Sequence, residues 1–284
     1  MTIFGKIIEK ISNCKSSICA GIDPHTLDLP QFMNQILLDS PEHFLYSFSK
    51  SIIDASASEL STVKFQSGFF EVFGAAGWTA LQKSMKYAKS KGLIVVLDAK
   101  RGDISTTMAA YGKMSFDTME ADLLTVTSYM GTETIKPLVP WLKNGKGVYM
   151  VWISSNPGGE VVQDLAADAL LKETIKVLEQ NSVKESLGLV VGATKVDAMA
   201  EEQFRDSMKH PLLMPGIGPQ GGAVGNRIRK ILEANNGTLI PMSRGIAGLG
   251  DIREISQIAG LTNWANYTDY VSNKIISLKR DLAI

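Results

Sequence analysis

Short, almost uninterrupted apolar runs recur along this chain, separated by amphipathic segments. The runs are SICAGID (17–23), TVKFQ (62–66), GLIVVLDAK (92–100), DLLTVT (122–127), VYMVWISS (148–155), LGLVVGAT (187–194), LLMPGIG (212–218) and LIPMSR (239–244). Runs this short and this apolar are expected of parallel strands covered on both faces. Helical periodicity fills the gaps. Over 42–60 it puts Phe44, Leu45, Phe48, Ile52 and Ala55 on one face, and over 162–180 it aligns Leu165, Ala169, Thr174 and Leu178 less cleanly. Pro137 and Pro140 predict a short or broken helix after the fourth strand. Residues 4–12 predict an extra helix before the first strand, with Phe4, Ile7, Ile8 and Ile11 apolar, and 264–281 a closing helix. The stretch 24–41, with Pro24, Pro30 and Pro41, is the longest irregular segment and is expected to be a loop or insertion.

Regular strand–helix alternation implies a parallel sheet with right-handed crossovers. Eight such units favour an α/β fold of the closed (β/α)8 TIM-barrel type over an open doubly wound sheet. No linker, low-complexity tract or charge block divides the chain, so residues 1–284 are expected to form a single domain.

Composition narrows the function. With 284 residues, 45% of them hydrophobic, the chain can bury a large core. Its 29 basic residues balance 29 acidic ones, which argues against a nucleic-acid partner. An anionic ligand must then be held by a few local groups. Cys14 and Cys19 form no disulfide framework and no zinc pattern, and His25, His43 and His210 have no mutual spacing suited to a metal, so they are expected at the surface or in loops. The N-terminus lacks the apolar core of a signal peptide, and no stretch approaches the ~18 uncharged apolar residues of a membrane span. A cytoplasmic protein with no membrane partner is expected.

In a barrel of this kind chemistry sits at the C-terminal ends of the strands. Polar residues closing the runs are Asp23, Lys64, Asp98, Lys100, Ser155, Thr194, Gly216–Gly218 and Arg244. Asp98 and Lys100 are two apart, so regular pleating points both to one face, the interior if Ile94 and Val96 also point inward. Lys64 is placed to reach between them. Charges at the top of an apolar strand cost desolvation unless they pair or act. A structural salt bridge at the rim is the alternative reading at this point. MPGIGPQGG (214–222) follows a strand and opens a helix, so its backbone N–H groups suit a phosphate; two tight glycine turns would look the same. Arg244 follows in SRGIAG, where its guanidinium is placed to grip the same phosphate. Ser155 in SNPGG offers a hydroxyl for a polar heterocycle, or is simply part of a turn.

Taken together these pieces resemble the orotidine 5′-monophosphate decarboxylase family. D-A-K-R-G-D-I-S-T-T (98–107) matches the family's D-x-K-x-x-D-I-x-x-T, in the Lys-Arg-Gly-Asp form of the longer bacterial subgroup. G-I-D-P (21–24), V-K-F-Q (63–66), S-N-P-G (155–158), P-G-I-G-P-Q-G-G (215–222) and S-R-G (243–245) follow in order. The resemblance implies decarboxylation of orotidine 5′-monophosphate to uridine 5′-monophosphate and CO2 without metal or other cofactor. It implies that Lys100 protonates C6, that Asp98 sits beside the substrate carboxylate, and that Lys64 completes the charge array. It assigns Asp23 to the ribose, Ser155 to the pyrimidine, and Gln220 and Arg244 to the phosphate. Asp103, Ile104 and Thr107 would reach into a neighbouring subunit's site, making a homodimer. Two positions depart from the pattern. Gly245 stands where many relatives carry a small hydroxyl residue, and the 24–41 segment is longer than in compact members. Two other readings compete. One is a magnesium-dependent sugar-phosphate decarboxylase or aldolase-like barrel, disfavoured because the second strand ends in Lys64-Phe65-Gln66 with Glu71 farther on. The other is an inactive phosphate-binding sensor, disfavoured by intact Lys64, Asp98, Lys100 and Asp103.

Overall fold

All eight apolar runs form parallel strands. The computed structural model describes residues 1–217, 224–234, 236–250 and 254–282. The strands are β1 (Ile18–Ile22), β2 (Thr62–Gln66), β3 (Ile94–Arg101), β4 (Leu123–Val126), β5 (Gly147–Ile153), β6 (Leu187–Val191), β7 (Leu212–Leu213) and β8 (Ile240–Met242). They lie in the order β7-β6-β5-β4-β3-β2-β1-β8. A parallel bridge from Leu213 to Leu239, with Met214 N donating to Leu239 O at 2.8 Å, brings the two edge strands together. The result is a (β/α)8 barrel ringed by helices.

Two sets of buried residues follow from the pleat. Cys19, Ile94, Val96, Leu123, Tyr149, Val190, Leu213 and Leu239 fill the barrel interior, and Ile3, Phe4 and Ile7 join them. These last three belong to the helix Ile3–Cys14, whose N-terminus is capped by the Thr2 hydroxyl accepting from Gly5 N. The predicted leading helix therefore plugs the N-terminal end of the barrel, where the Phe4 ring meets Tyr149 edge-on at 5.3 Å. Gly188 makes room for that pair: a Cβ there would lie 2.5 Å from the Tyr149 ring. Phe4→Ala would open a cavity costing about 3–5 kcal/mol.

The second set lies between barrel and helices. Phe44, Leu45, Phe48, Ile52 and Ala55 are all buried on the helix Pro41–Ser56, as the periodicity predicts. The closing helix Trp264–Leu282 packs on the same helix, with Phe48 stacked on Tyr267 at 5.8 Å.

Three expectations need correction. The 24–41 stretch contains a helix, Gln31–Asp39, entered from Pro30 and anchored by buried Met33. On the helix Glu160–Gln180 the buried positions are Ala167, Leu171, Thr174 and Leu178, whereas Leu165 is 86% exposed and Ala169 is exposed. Thr174 and Leu178 are buried as expected, and in the first half of the helix the buried face lies two residues later than the expected stripe, at Ala167 and Leu171. His210 is buried, and burial lowers its pKa. No helix among the described residues is long and apolar enough to cross a membrane.

Candidate active site

Inward positions at the ends of β1 to β4 build one charged cluster. The register sets Gly21 beside Lys64, Lys64 beside Val96, and Gln66 beside Asp98. Lys64 thus starts one pleat below Asp98, and its stem carries the ammonium upward. Its Nζ lies 3.1 Å from Asp98 Oδ2 and 3.6 Å from Asp23 Oδ1. Lys100 Nζ lies 2.8 Å from Asp98 Oδ1. The order is Asp23–Lys64–Asp98–Lys100, with signs alternating. Lys64 sits between two carboxylates rather than between Asp98 and Lys100 as the sequence led us to expect. It rises from the side of β1 and β2, while Lys100 approaches from the far side of Asp98.

Alternation is what allows these charges to be buried. An unpaired ion there would cost several kcal/mol. Burial alone would lower the Lys64 pKa, but Asp23 and Asp98 outweigh it and hold the ammonium above the usual lysine range. Burial alone would raise the pKa of Asp98; Lys64 and Lys100, with hydrogen bonds from Lys100 and Thr125, bring it down to about 2. The Asp98 carboxylate has four donors. Lys64 and Gln66 Nε2 (3.1 Å) serve Oδ2, and Lys100 and Thr125 Oγ1 (2.8 Å) serve Oδ1.

Lys100 reaches Asp98 by a route that simple pleating does not describe. The β3–β4 register runs from Leu97↔Leu124 to Arg101↔Val126, so β3 carries extra residues over this stretch. Lys100 itself has φ 44°, in the left-handed region that costs a non-glycine residue about 1–3 kcal/mol. Its side chain is 49% exposed. Beyond the bulge, Arg101 pairs with Glu71 at 2.6 Å and lies over the Tyr111 ring. Gly102 then passes so close to Thr127 that a Cβ would lie 2.6 Å from the Thr127 carbonyl oxygen.

The remaining candidates stand apart from this array. Asp103 is half-buried and its Oδ1 accepts from Ile104 N at 2.7 Å. Ile104 is 45% exposed, and Thr107 is exposed on the helix Ser105–Gly112. Ser155 is exposed beyond β5, its backbone seated against Gly192, where a Cβ would come within 2.7 Å. Arg244 is exposed and begins the helix Arg244–Ala247 after β8. It lies on the Asp23 side of the mouth, since β8 pairs with β1; burial lowers the His25 pKa, Asp23 opposes this, and Arg244 adds to it. Gln220 and most of the glycine-rich loop, 218–223, lie outside the described residues. Sequence reasoning missed Gln66 and Thr125. Gln66 shares the pleat phase of Lys64, and Thr125 is a hydroxyl inside an apolar strand. Both signals were visible; neither is distinctive alone.

The family model described as orotidine 5′-phosphate decarboxylase / HUMPS family matches residues 16–257. An orotidine 5′-phosphate decarboxylase of Clostridium botulinum is 31% identical, covering 99% of each chain. One from Natronomonas pharaonis is 34% identical over 88% of this chain and 90% of its own. Among solved structures, the OMP decarboxylase of Leishmania donovani superposes with a TM-score of 0.67 at 27% identity, covering 97% of this chain and 99% of its own.

Proposed function

Since the chain belongs to the orotidine 5′-phosphate decarboxylase / HUMPS family, we propose that it converts orotidine 5′-monophosphate to uridine 5′-monophosphate and CO2, a step of pyrimidine nucleotide synthesis. The observation that carries this reading is the Asp23–Lys64–Asp98–Lys100 array at the C-terminal mouth of the barrel.

In this reading the C6–carboxylate bond breaks, CO2 leaves, and the bonding electron pair remains on C6. Lys100, half-exposed and turned toward the mouth, stabilises that charge and delivers the proton. Asp98, held ionised, lies beside the departing carboxylate. Lys64 fixes Asp98 and Asp23, and Asp23 takes the ribose hydroxyls. Ser155 reads the pyrimidine, and Gln220 and Arg244 hold the phosphate. Binding energy from that remote group organises the charged end. No cofactor takes part; the carboxylates nearest the reacting carbon are already matched by lysines.

The enzyme acts as a homodimer, with Asp103, Ile104 and Thr107 completing the partner's site. Their outward placement in the single chain supports this. Residues 1–284 act as one domain, and two unpaired cysteines fit a cytoplasmic location. The test is turnover: the purified protein with orotidine 5′-monophosphate should lower the pyrimidine absorbance and yield uridine 5′-monophosphate, before and after exhaustive chelation. Constant absorbance overturns the proposal. Activity lost on chelation and restored by a metal overturns its cofactor-free part.

A further inference from the structure

Thr125 lies in the middle of an apolar strand and is 1% exposed, yet its hydroxyl is fully occupied. Its Oγ1 donates to Asp98 Oδ1 at 2.8 Å. It accepts from Ala99 N at 3.0 Å and from Lys100 N at 2.9 Å. A hydroxyl has one proton and two lone pairs, and all three are used within one short segment of β3.

That segment is the bulge. Two successive amides turn toward one oxygen there, and Lys100 takes its left-handed φ of 44° in doing so. The consequence for the side chains is direct. In a regular strand the N–H groups of Ala99 and Lys100 would point to opposite edges of the strand. Here both face β4, and the backbone at Lys100 is turned so that its ammonium meets Asp98 Oδ1, the atom to which Thr125 also donates. One oxygen thus fixes the backbone that bears Lys100 and the carboxylate that Lys100 contacts.

We propose that Thr125 is the positioning residue of the charge array, setting the β3 bulge so that Lys100 and Asp98 meet at the reacting carbon. It touches neither substrate nor product and acts through Asp98 and Lys100. The inference rests on the roles given to those two residues under the proposed function.

The test uses two pairs of variants that differ in the hydroxyl: wild type against Thr125→Val, and Thr125→Ser against Thr125→Ala. Wild type and Lys100→Ala are assayed alongside. In each pair the member lacking oxygen should lose about 10- to 100-fold in kcat, the range of one to two lost charge-assisted or buried hydrogen bonds. KM and the affinity for uridine 5′-monophosphate should stay within about threefold, because the phosphate and ribose contacts are untouched. Thr125→Ser should keep kcat within about threefold of wild type. Should Thr125→Val fail to fold, the Ser/Ala pair decides.

A purely structural threonine predicts something else: kcat, KM and product affinity would worsen together with the melting temperature, and Ser would rescue none of them selectively. That result overturns the proposal, as does wild-type kcat in a folded Val or Ala variant while Lys100→Ala is inactive. If wild type itself fails to decarboxylate, or Lys100→Ala keeps full activity, the underlying reading of the site falls and this inference falls with it.

Discussion

Two of the clusters in which one aspartate meets two lysines, those of Asp122 and Asp98, are built for different ends. Asp122, just before β4, lies 2.7 Å from Lys89 Nζ and 3.4 Å from Lys146 Nζ. Asp98, on β3, lies 3.1 Å from Lys64 and 2.8 Å from Lys100. By ion-pair geometry they look alike. Their other partners separate them. Asp122 accepts from Val95 N at 3.0 Å, Lys89 donates to Glu120 O at 3.0 Å, and Lys146 donates to Ala121 O at 2.6 Å. Every charge there also ties down main chain, so the cluster clamps the starts of β3 and β4. Around Asp98 every bond to a charged atom is from a side chain. Among the described residues the Lys100 ammonium has one partner, Asp98, and is half-exposed. An ammonium with three donors and one partner has capacity left for a ligand. Charge clusters that secure backbone are structural; those that spare a donor toward the barrel mouth are candidates for chemistry.

Substituting one lysine in each cluster breaks or sustains that distinction most sharply. Lys100→Ala should lower kcat by about 10²- to 10⁴-fold, the contribution of a positioned general acid, while uridine 5′-monophosphate still binds. Lys89→Ala and Lys146→Ala should leave kcat within about twofold and lower stability by roughly 1 kcal/mol, as partly exposed pairs do. Steady-state kinetics with a thermal melt on each variant decides. Equal losses of activity from both clusters would end the comparison.

The carboxylates give the next largest contrast. Asp98→Asn strands the buried Lys64 ammonium beside Asp23 alone, and should destabilise by about 3–5 kcal/mol. Asp122→Asn retains an oxygen for Val95 N and leaves more exposed lysines, so about 1–2 kcal/mol is expected. Urea unfolding of both proteins measures the difference.

How much of this was legible in the chain differs between fold and site. The eight runs were readable because a parallel strand covered on both faces excludes polar residues along its length. The N-terminal plug was readable as a helix but not as a plug, since nothing in Phe4 or Ile7 names the end of the barrel it enters. At the site, Asp98, Lys100, Lys64 and Asp23 were found by their positions at strand ends, and all four meet. The argument from strict alternation at Asp98 and Lys100 reached the right contact for an incomplete reason. A bulge inserts residues without any marker in an alternating pattern, and here its cause, the Thr125 hydroxyl, lies 25 residues downstream. Gln66 was overlooked because its role exists only across the β2–β3 register. The helix within 24–41 was hidden by its three prolines, of which Pro30 and Pro41 fall at helix starts where proline is tolerated.

On the Asp23 side of the mouth, Arg244 is exposed and begins a short helix. If it grips the phosphate, Arg244→Ala should cost the nucleotide about 10- to 100-fold in kcat/KM, the worth of a charge-assisted contact. The dephosphorylated nucleoside, which never makes that contact, should lose less than about threefold. Equal losses for both substrates would remove Arg244 from the phosphate site.

A further effect is expected in the pH dependence of stability, and it isolates Asp98. Its folded pKa of about 2 lies below the ordinary 3.8, so the folded state favours the ionised form. The stabilisation is complete above pH 3.8, where the unfolded chain is also ionised, and fades as pH falls through about 2. The gap corresponds to roughly 2 kcal/mol. Lys64 has the opposite sign: its pKa is raised, so its contribution holds through neutral pH and fades only above the usual lysine range. The stability difference between wild type and Asp98→Asn should therefore be flat from about pH 5 to pH 8 and shrink between about pH 4 and pH 2. An acid limb in turnover above pH 5 must then arise from some group other than Asp98. Urea unfolding of both proteins across this range supplies the check. A difference that already narrows between pH 7 and pH 5 would mean that Asp98 is protonated far more easily than its four donors allow, and that the array is looser than the Asp122 clamp it is compared with.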